Sequence, residues 1–369
     1  MLLLPCAMQG QNLWNKFLVW VREGNIFDST YIYQRPAGFQ ASIDASVQQF
    51  TSSLKADLVS TITPFDENGN PLDPVVVPSS SRTDIKDIVN GSIGVGFAYG
   101  RLGLSFGILS WPKSRKNSVI NLNLGYQGNK WGIHLGLNGL EQRATNTTTV
   151  GTEDYEYYRH TEYLSDSTLR VLRMSADAYW VINRNRFSYT SAYKCDMAQR
   201  RSVGSVLISA SLVNFFVSSE GDAILASLPE VKSYGAFINS IGAGYSYNFV
   251  FKHRDPTGPN NEGLFNLTLN MTLLPMLTYS STIYARPLND ELFSITSSIT
   301  PNICGNAALG MYLGQWFFSI QYHHNVYFFS SKKDLTPADL EFETLDFDKL
   351  NLNGLMQEWK VSTIAIFNF

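Results

Sequence analysis

The chain has 369 residues, a formal net charge of −3 at neutral pH and a mean hydropathy near zero. It has no basic stripe and no excess of Lys and Arg, which argues against a nucleic-acid partner. It also lacks the run of about 18 apolar residues that a membrane helix needs. Charged residues make up only 16%, against a usual ~25%, while aromatics reach 13%. Low charge, many aromatics and abundant small polar residues fit a transmembrane barrel better than a soluble sandwich.

The segment Met1–Gln11 reads as part of a signal peptide, with a short apolar core but no basic region before it. Leu13, Phe17, Trp20 and Val21 then fall on one helical face over residues 12–23, and Gly24 and Asn25 end that helix. The expected organisation is a signal-like segment at 1–11, a periplasmic helix and lead-in at 12–35, and a barrel over 36–369.

The first strand begins at Phe39. Phe39, Ala41, Ile43, Ala45 and Val47 alternate with Gln40, Ser42, Asp44, Ser46 and Gln48. The stretch after it carries Pro64, Pro71, Pro74 and Pro78 and reads as a loop to about residue 87. Two hairpins follow, turning at residues 99–101 and 128–130. The strand after the second turn has Trp131, Ile133, Leu135 and Leu137 on one face and Gly132, His134, Gly136 and Asn138 on the other. Residues 141–168 read as a polar, acidic outer loop. Leu172, Met174, Ala176, Ala178, Trp180 and Ile182 form the next apolar face, with Arg173, Ser175, Asp177 and Tyr179 behind it. The alternation is weak over Phe187–Tyr193 and resumes over 204–216, 241–249, 265–273, 295–313, 316–327 and 359–369.

Thirteen candidate strands result, yet bacterial single-chain barrels have an even number, with short turns toward the periplasm. The short turns agree with one another only if Phe187–Tyr193 does not cross the membrane. Twelve strands are therefore expected, within a range of ten to fourteen, in an all-β transmembrane antiparallel barrel. The closing strand, Trp359 to Phe369, should pair with the strand that begins near Phe39. Its aromatics Trp359, Phe367 and Phe369 are the expected signal for the insertion machinery. Tyr126, Trp131, Trp180 and Trp316 also lie at strand ends, as interfacial girdles require.

The fixed charges within the central spans are Asp44, Arg173, Asp177 and Lys360, and all four fall on the polar face. Arg173 and Asp177 sit four residues apart, about 13 Å along a strand. They are too far apart to pair directly, so each needs a partner from another strand, with Asp44 and Lys360 as candidates. His134 and His323 also point inward. A hydrolase reading would join one of them to Ser105 or Ser319, but barrel interiors are rich in Ser and Asn, and polar packing of the lumen is the simpler account. Neither acidic loop has the ligand spacing of a calcium site. No catalytic residue, metal site or cofactor is assigned. Cys6, Cys195 and Cys304 are too few and too scattered for a disulfide framework.

Four stretches, Phe27–Ile32, Gly94–Ser105, Gln199–Ser205 and Ile241–Phe249, occur in an order that resembles a family of predicted outer-membrane barrels from Bacteroides and its relatives. That family is a domain of unknown function. The resemblance implies export and an outer-membrane barrel but supplies no activity. The expected function is a non-enzymatic, porin-like barrel of the cell envelope: a narrow or plugged pore, or a barrel whose loops bind a partner. The alternatives are a membrane-embedded hydrolase of lipid or peptide and a structural subunit of an envelope assembly. The expected partners are the bilayer, the insertion machinery and other envelope proteins.

Overall fold

The computed structural model describes residues 27–35, 38–63, 68–86, 90–111, 120–150, 159–164, 169–219, 233–258, 261–285, 292–333 and 350–368. The signal-like segment, the helix expected over 12–23 and Phe369 lie outside them. Among the described residues sixteen strands follow in order: β1 Ile32–Gln34, β2 Phe39–Ile62, β3 Val75–Lys86, β4 Asn90–Tyr99, β5 Leu102–Trp111, β6 Ile120–Gln127, β7 Trp131–Val150, β8 Arg159–Leu164, β9 Leu169–Val181, β10 Met197–Gln199, β11 Val203–Ser219, β12 Ser233–Arg254, β13 Phe265–Ala285, β14 Leu292–Leu313, β15 Trp316–Lys333 and β16 Leu350–Asn368.

Twelve of these form a closed antiparallel wall in the order β2-β4-β5-β6-β7-β9-β11-β12-β13-β14-β15-β16. Closure is made by β16 on β2, with Asn368 opposite Gln40 and Ile366 opposite Ser42. A wall without edges satisfies every ladder N–H and C=O internally, which an open sheet in hydrocarbon could not do. Phe187–Tyr193 is not a wall strand: residues 189–192 form a single 3-10 turn.

The alternation read from the sequence sets the two faces. Ile43, Ile93, Leu135, Met174, Ile208, Met271, Leu273 and Ile320 are exposed on the outside. Ser46, Ser92, Asn138, Ser175, Asn248, Asn270 and Gln321 are buried on the inside. Apolar atoms facing out and polar atoms facing in is the inverse of a soluble barrel and defines the lipid surface. Substituting Met271→Arg, half-way up that band, should cost about 2–4 kcal/mol of folding free energy in bilayers. A denaturant titration into lipid vesicles measures this, and an unchanged midpoint would mean that the outer face does not meet hydrocarbon.

The wall is taller than the bilayer. β2 has 24 residues and β13 has 21, where crossing takes about 9–11. The stretch to about residue 87 and the stretch over 141–168, both expected as loops, are therefore largely strand. β3 pairs with β2 and with β7 above the membrane, and β8 pairs with the upper part of β7. Lys55 stands opposite Arg82, and Ser53 opposite Asp84. Strand that rises past the bilayer has no lipid face, so nothing imposes an apolar period for a sequence reading to detect.

The short turns cluster at the other end, which faces the periplasm in barrels of this kind. Gly100 and Gly314 supply positive φ at two of them. Backbone bonds link neighbouring turns: Gln127 N to Arg101 O, Val181 N to Lys130 O, and Gly314 N to Leu264 O.

Candidate functional site

The segment between β9 and β11 folds up into the lumen at the short-turn end and fills it. Phe187, Ser188, Ser191, Ala192, Cys195, Ala198 and Gln199 are fully buried. We call residues 187–199 the plug. Wall and strap enclose it below the vestibule and no lipid touches it, which is why its polar and apolar residues follow no period.

The wall holds the plug largely by its backbone. Asn248 Nδ2 on β12 donates to Ser188 O at 2.8 Å, and it also lies 3.1 Å from both Ser191 Oγ and Gln199 Oε1. Asn270 on β13 bonds to Asn248 Oδ1 at 2.8 Å and accepts from the Tyr193 hydroxyl at 3.0 Å. The Tyr312 hydroxyl on β14 reaches both Lys194 O and Met197 O at 2.5 Å. On β15, Ser319 Oγ donates to Ala192 O at 2.7 Å and Gln321 Nε2 to Tyr193 O at 3.2 Å. Buried carbonyls of an irregular segment need such donors, because no regular ladder supplies them.

Apolar contacts complete the seat. Phe187 packs with Val181, Leu207, Leu274 and Met276. The β12–β13 ladder skips from Gly242–Met276 to Tyr245–Leu273 around Pro275, which has no N–H to give. That break lies where Leu274 and Met276 sit buried against the plug. Ala308 and Gly310 on β14 let the wall come up against Ala192. Burial pushes the Cys195 thiol up to about 12. Burial also raises the Asp196 carboxyl, a shift opposed by Lys194 and Arg101. The Lys194 ammonium is lowered by burial, against the pull of Asp196.

A strap from the N-terminal side crosses beneath the plug. β1 pairs with β10, with Ile32 opposite Gln199. Arg35 N donates to Asp196 O, and Gln199 Nε2 donates to Tyr31 O at 3.0 Å. Arg200 ties the strap to the wall by donating to Ser29 O and by pairing with Asp255 at 2.5 Å, while His253 Nε2 lies 2.9 Å from the same carboxylate. Burial alone would raise the Asp255 carboxyl, but the His253 bond and the Arg200 charge outweigh it and hold it below the ordinary range. A depressed carboxylate stabilises the fold above its unfolded value of about 3.9 and loses that contribution as pH falls through the lower folded value. This tie should therefore hold throughout the neutral range and fail only in acid. Because Asp255 is largely exposed, Asp255→Asn at neutral pH should weaken hydrogen-exchange protection of Ile32–Gln34 by no more than about fivefold.

Above the plug the lumen encloses a cavity of about 410 Å³. Asp44, His134, Arg173, Asp177 and His323 all line it. Asp177 accepts from Ser211 Oγ at 2.5 Å and lies 4.0 Å from His134 Nδ1, one cross-strand neighbour on each side. Arg173 reaches Ser175 Oγ at 3.5 Å and lies over the Phe215 ring. Asp44 stands over Gly94 on β4, and β2 lies nearly across the barrel from β9, so it is not a ladder neighbour of Arg173 or Asp177. Lys360 stands opposite His323 and Gln48 in the ladder, and its side chain lies outside the described residues. His323 Nδ1 is 2.8 Å from Asn306 Oδ1. Ser319 is committed to the plug, and Ser105 accepts from Asn123 at 3.4 Å. Among the described residues no group of three His, Cys, Asp or Glu could hold a metal ion. Cys195 and Cys304 form no disulfide.

On the closing strand, Phe367 rests against Trp316 with ring centroids 4.8 Å apart. Trp359 pairs in register with His324 and Gln49. The plug and its wall donors Asn248, Asn270 and Tyr312 were not anticipated as site residues. Their one sequence signal was the lapse of alternation over 187–193.

A closed wall of twelve strands with lipid outside and polar side chains inside defines an integral β-barrel protein of the bacterial outer membrane. The chain belongs to the family described as "Domain of unknown function (DUF4421)", which matches residues 71–343. No curated protein matches the chain. Among solved structures, it is similar to the outer membrane protease OmpT from Escherichia coli, with 8% identity and a TM-score of 0.41 over 89% of this chain and 97% of that one. It is also similar to a Pseudomonas aeruginosa FadL homologue (9%, TM-score 0.21, 90% of each chain). A third is the Pseudomonas putida toluene transporter TodX (8%, TM-score 0.24, 91% of this chain and 90% of that one).

Proposed function

We propose that this protein is a plugged barrel that binds a small ligand in its lumen, and not a free-diffusion pore. The observation that carries this is the plug: thirteen consecutive residues (187–199) sit inside the wall, with the carbonyls of Ser188, Ala192, Tyr193 and Lys194 capped by donors from β12, β14 and β15. A water-filled pore would not need such donors, because water would satisfy those groups. With the short-turn end filled, the cavity above becomes a vestibule, and its volume lies within the ~300–1,000 Å³ of small-ligand pockets. The hydrolase reading draws no support from Ser105 or Ser319, since both hydroxyls have other partners. In this proposal β16, with Trp359, Phe367 and Phe369, is the strand that the insertion machinery engages.

Planar-bilayer recording on the refolded protein tests the reading. The native chain should insert without stable conductance steps. Regular, long-lived steps from the native chain would overturn it.

A further inference from the structure

The vestibule carries a chemical signature. Nine of its lining residues are carboxamides, among them Asn123, Asn138, Asn302, Asn306 and Gln321. A carboxamide offers a donor and an acceptor side by side, the arrangement that pairs with two neighbouring hydroxyls. Gln48 Nε2, Asn138 Oδ1 and Asn302 Oδ1 have no hydrogen-bond partner, and their residues are only 5%, 6% and 4% exposed. Buried amide atoms without partners are costly where they stand, so a rotation that turns them to a hydroxyl in the vestibule lowers that cost.

The floor is aromatic. Tyr179, Tyr189 and Tyr193 form a continuous row with centroids 4.8 and 5.3 Å apart, and His323 extends it at 6.2 Å. The Tyr193 hydroxyl is turned to Asn270 and that of Tyr179 to Gly128 O, so the ring bodies remain as apolar surface. Among the described lining residues the fixed charges balance: Asp44 and Asp177 are offset by Arg173 and Lys194. Together these residues give no net attraction to an anion or a cation.

We infer that the vestibule takes an uncharged, hydroxyl-rich ring compound, a saccharide of one or two units, with its hydroxyl edge on the carboxamides and its C–H face on the tyrosine row. The inference rests on the plugged reading above, which makes the cavity a dead-end vestibule.

The test is isothermal titration of the full chain in detergent. Neutral probes are glucose, galactose, mannose, N-acetylglucosamine and maltose; comparison solutes are glucuronate, glucosamine, glycine and dialanine. At least one neutral saccharide should bind saturably, and the comparison solutes more weakly by about tenfold or more. Asn138→Leu and Asn302→Leu should each lower that affinity about tenfold, while Met271→Leu on the lipid face should not change it. Circular dichroism and heat-dependent gel mobility confirm that each variant is folded. No saturable binding of any neutral saccharide would overturn the inference, as would equal binding of the charged solutes or native affinity in both folded Asn variants. Conductance separates the two readings. A non-conducting chain that binds no saccharide loses only the ligand assignment, whereas a conducting chain loses the plug.

Discussion

Gly310→Val should unseat the plug and turn a silent barrel into a conducting one. A Cβ at Gly310 would lie 2.7 Å from Ala192 Cα, 2.9 Å from its carbonyl oxygen and 3.1 Å from its carbonyl carbon. All three are backbone atoms, so no side-chain rotation relieves the clash. Overpacking of this kind costs about 1–3 kcal/mol. Ser319, opposite Gly310 in the ladder, would also lose its bond to Ala192 O, worth about 0.5–1.5 kcal/mol. Each 1.4 kcal/mol is about tenfold in population, so the displaced state should gain roughly ten- to a thousandfold. Two measurements follow it: conductance steps absent from the native chain, and maleimide labelling of Cys195, read by peptide mass. Burial holds that thiol protonated and covered in the native fold. Gly305→Ala is the control on the same strand, because a Cβ there meets nothing within 4 Å. Cys195 left unlabelled in Gly310→Val would show that the wall yields instead of the plug.

The second large effect is expected at Asn248. Its amide nitrogen faces Ser188 O and Gln199 Oε1, and its oxygen faces the amide of Asn270. Asn248→Asp keeps the shape but replaces the donor with an anionic oxygen held against two acceptors. Each buried group left without a partner costs about 1–3 kcal/mol, and the buried charge adds to that. Asn248→Asp should therefore release the plug more completely than Asn248→Ala, with faster Cys195 labelling. The wall ladder does not depend on this side chain, so the barrel should keep its heat-dependent mobility on gels. Equal labelling of native and Asn248→Asp protein would remove Asn248 from its role in holding the plug.

The positions where sequence and structure agree share a physical cause. Phe39–Val47, Trp131–Leu137 and Leu172–Ile182 each have lipid on one side and protein or water on the other. A two-sided environment imposes a period of two on the residues themselves, so strand number, face assignment and turn polarity could be read locally. The lapse over Phe187–Tyr193 was legible for the same reason: a segment that does not cross lipid has no face to keep apolar. The strand extensions were missed because wall that rises past the bilayer has no lipid face to impose a period.

Whether the wall surrounds a pathway or a packed interior could not be read from any one segment. The plug is made by residues far apart in sequence. Asn248 meets Ser188 across 60 positions, Tyr312 meets Met197 across 115 and Gln321 meets Tyr193 across 128. The partners of Asp177 were likewise set by register, which brought His134 and Ser211 beside it and left Asp44 on a distant strand. By itself the sequence determined a twelve-stranded lipid-facing wall, because hydrocarbon acts on every strand alike. Only the tertiary structure decided that the wall is plugged and that its remaining space is a small carboxamide-lined vestibule, because those depend on which inward side chains closure of the barrel brings face to face.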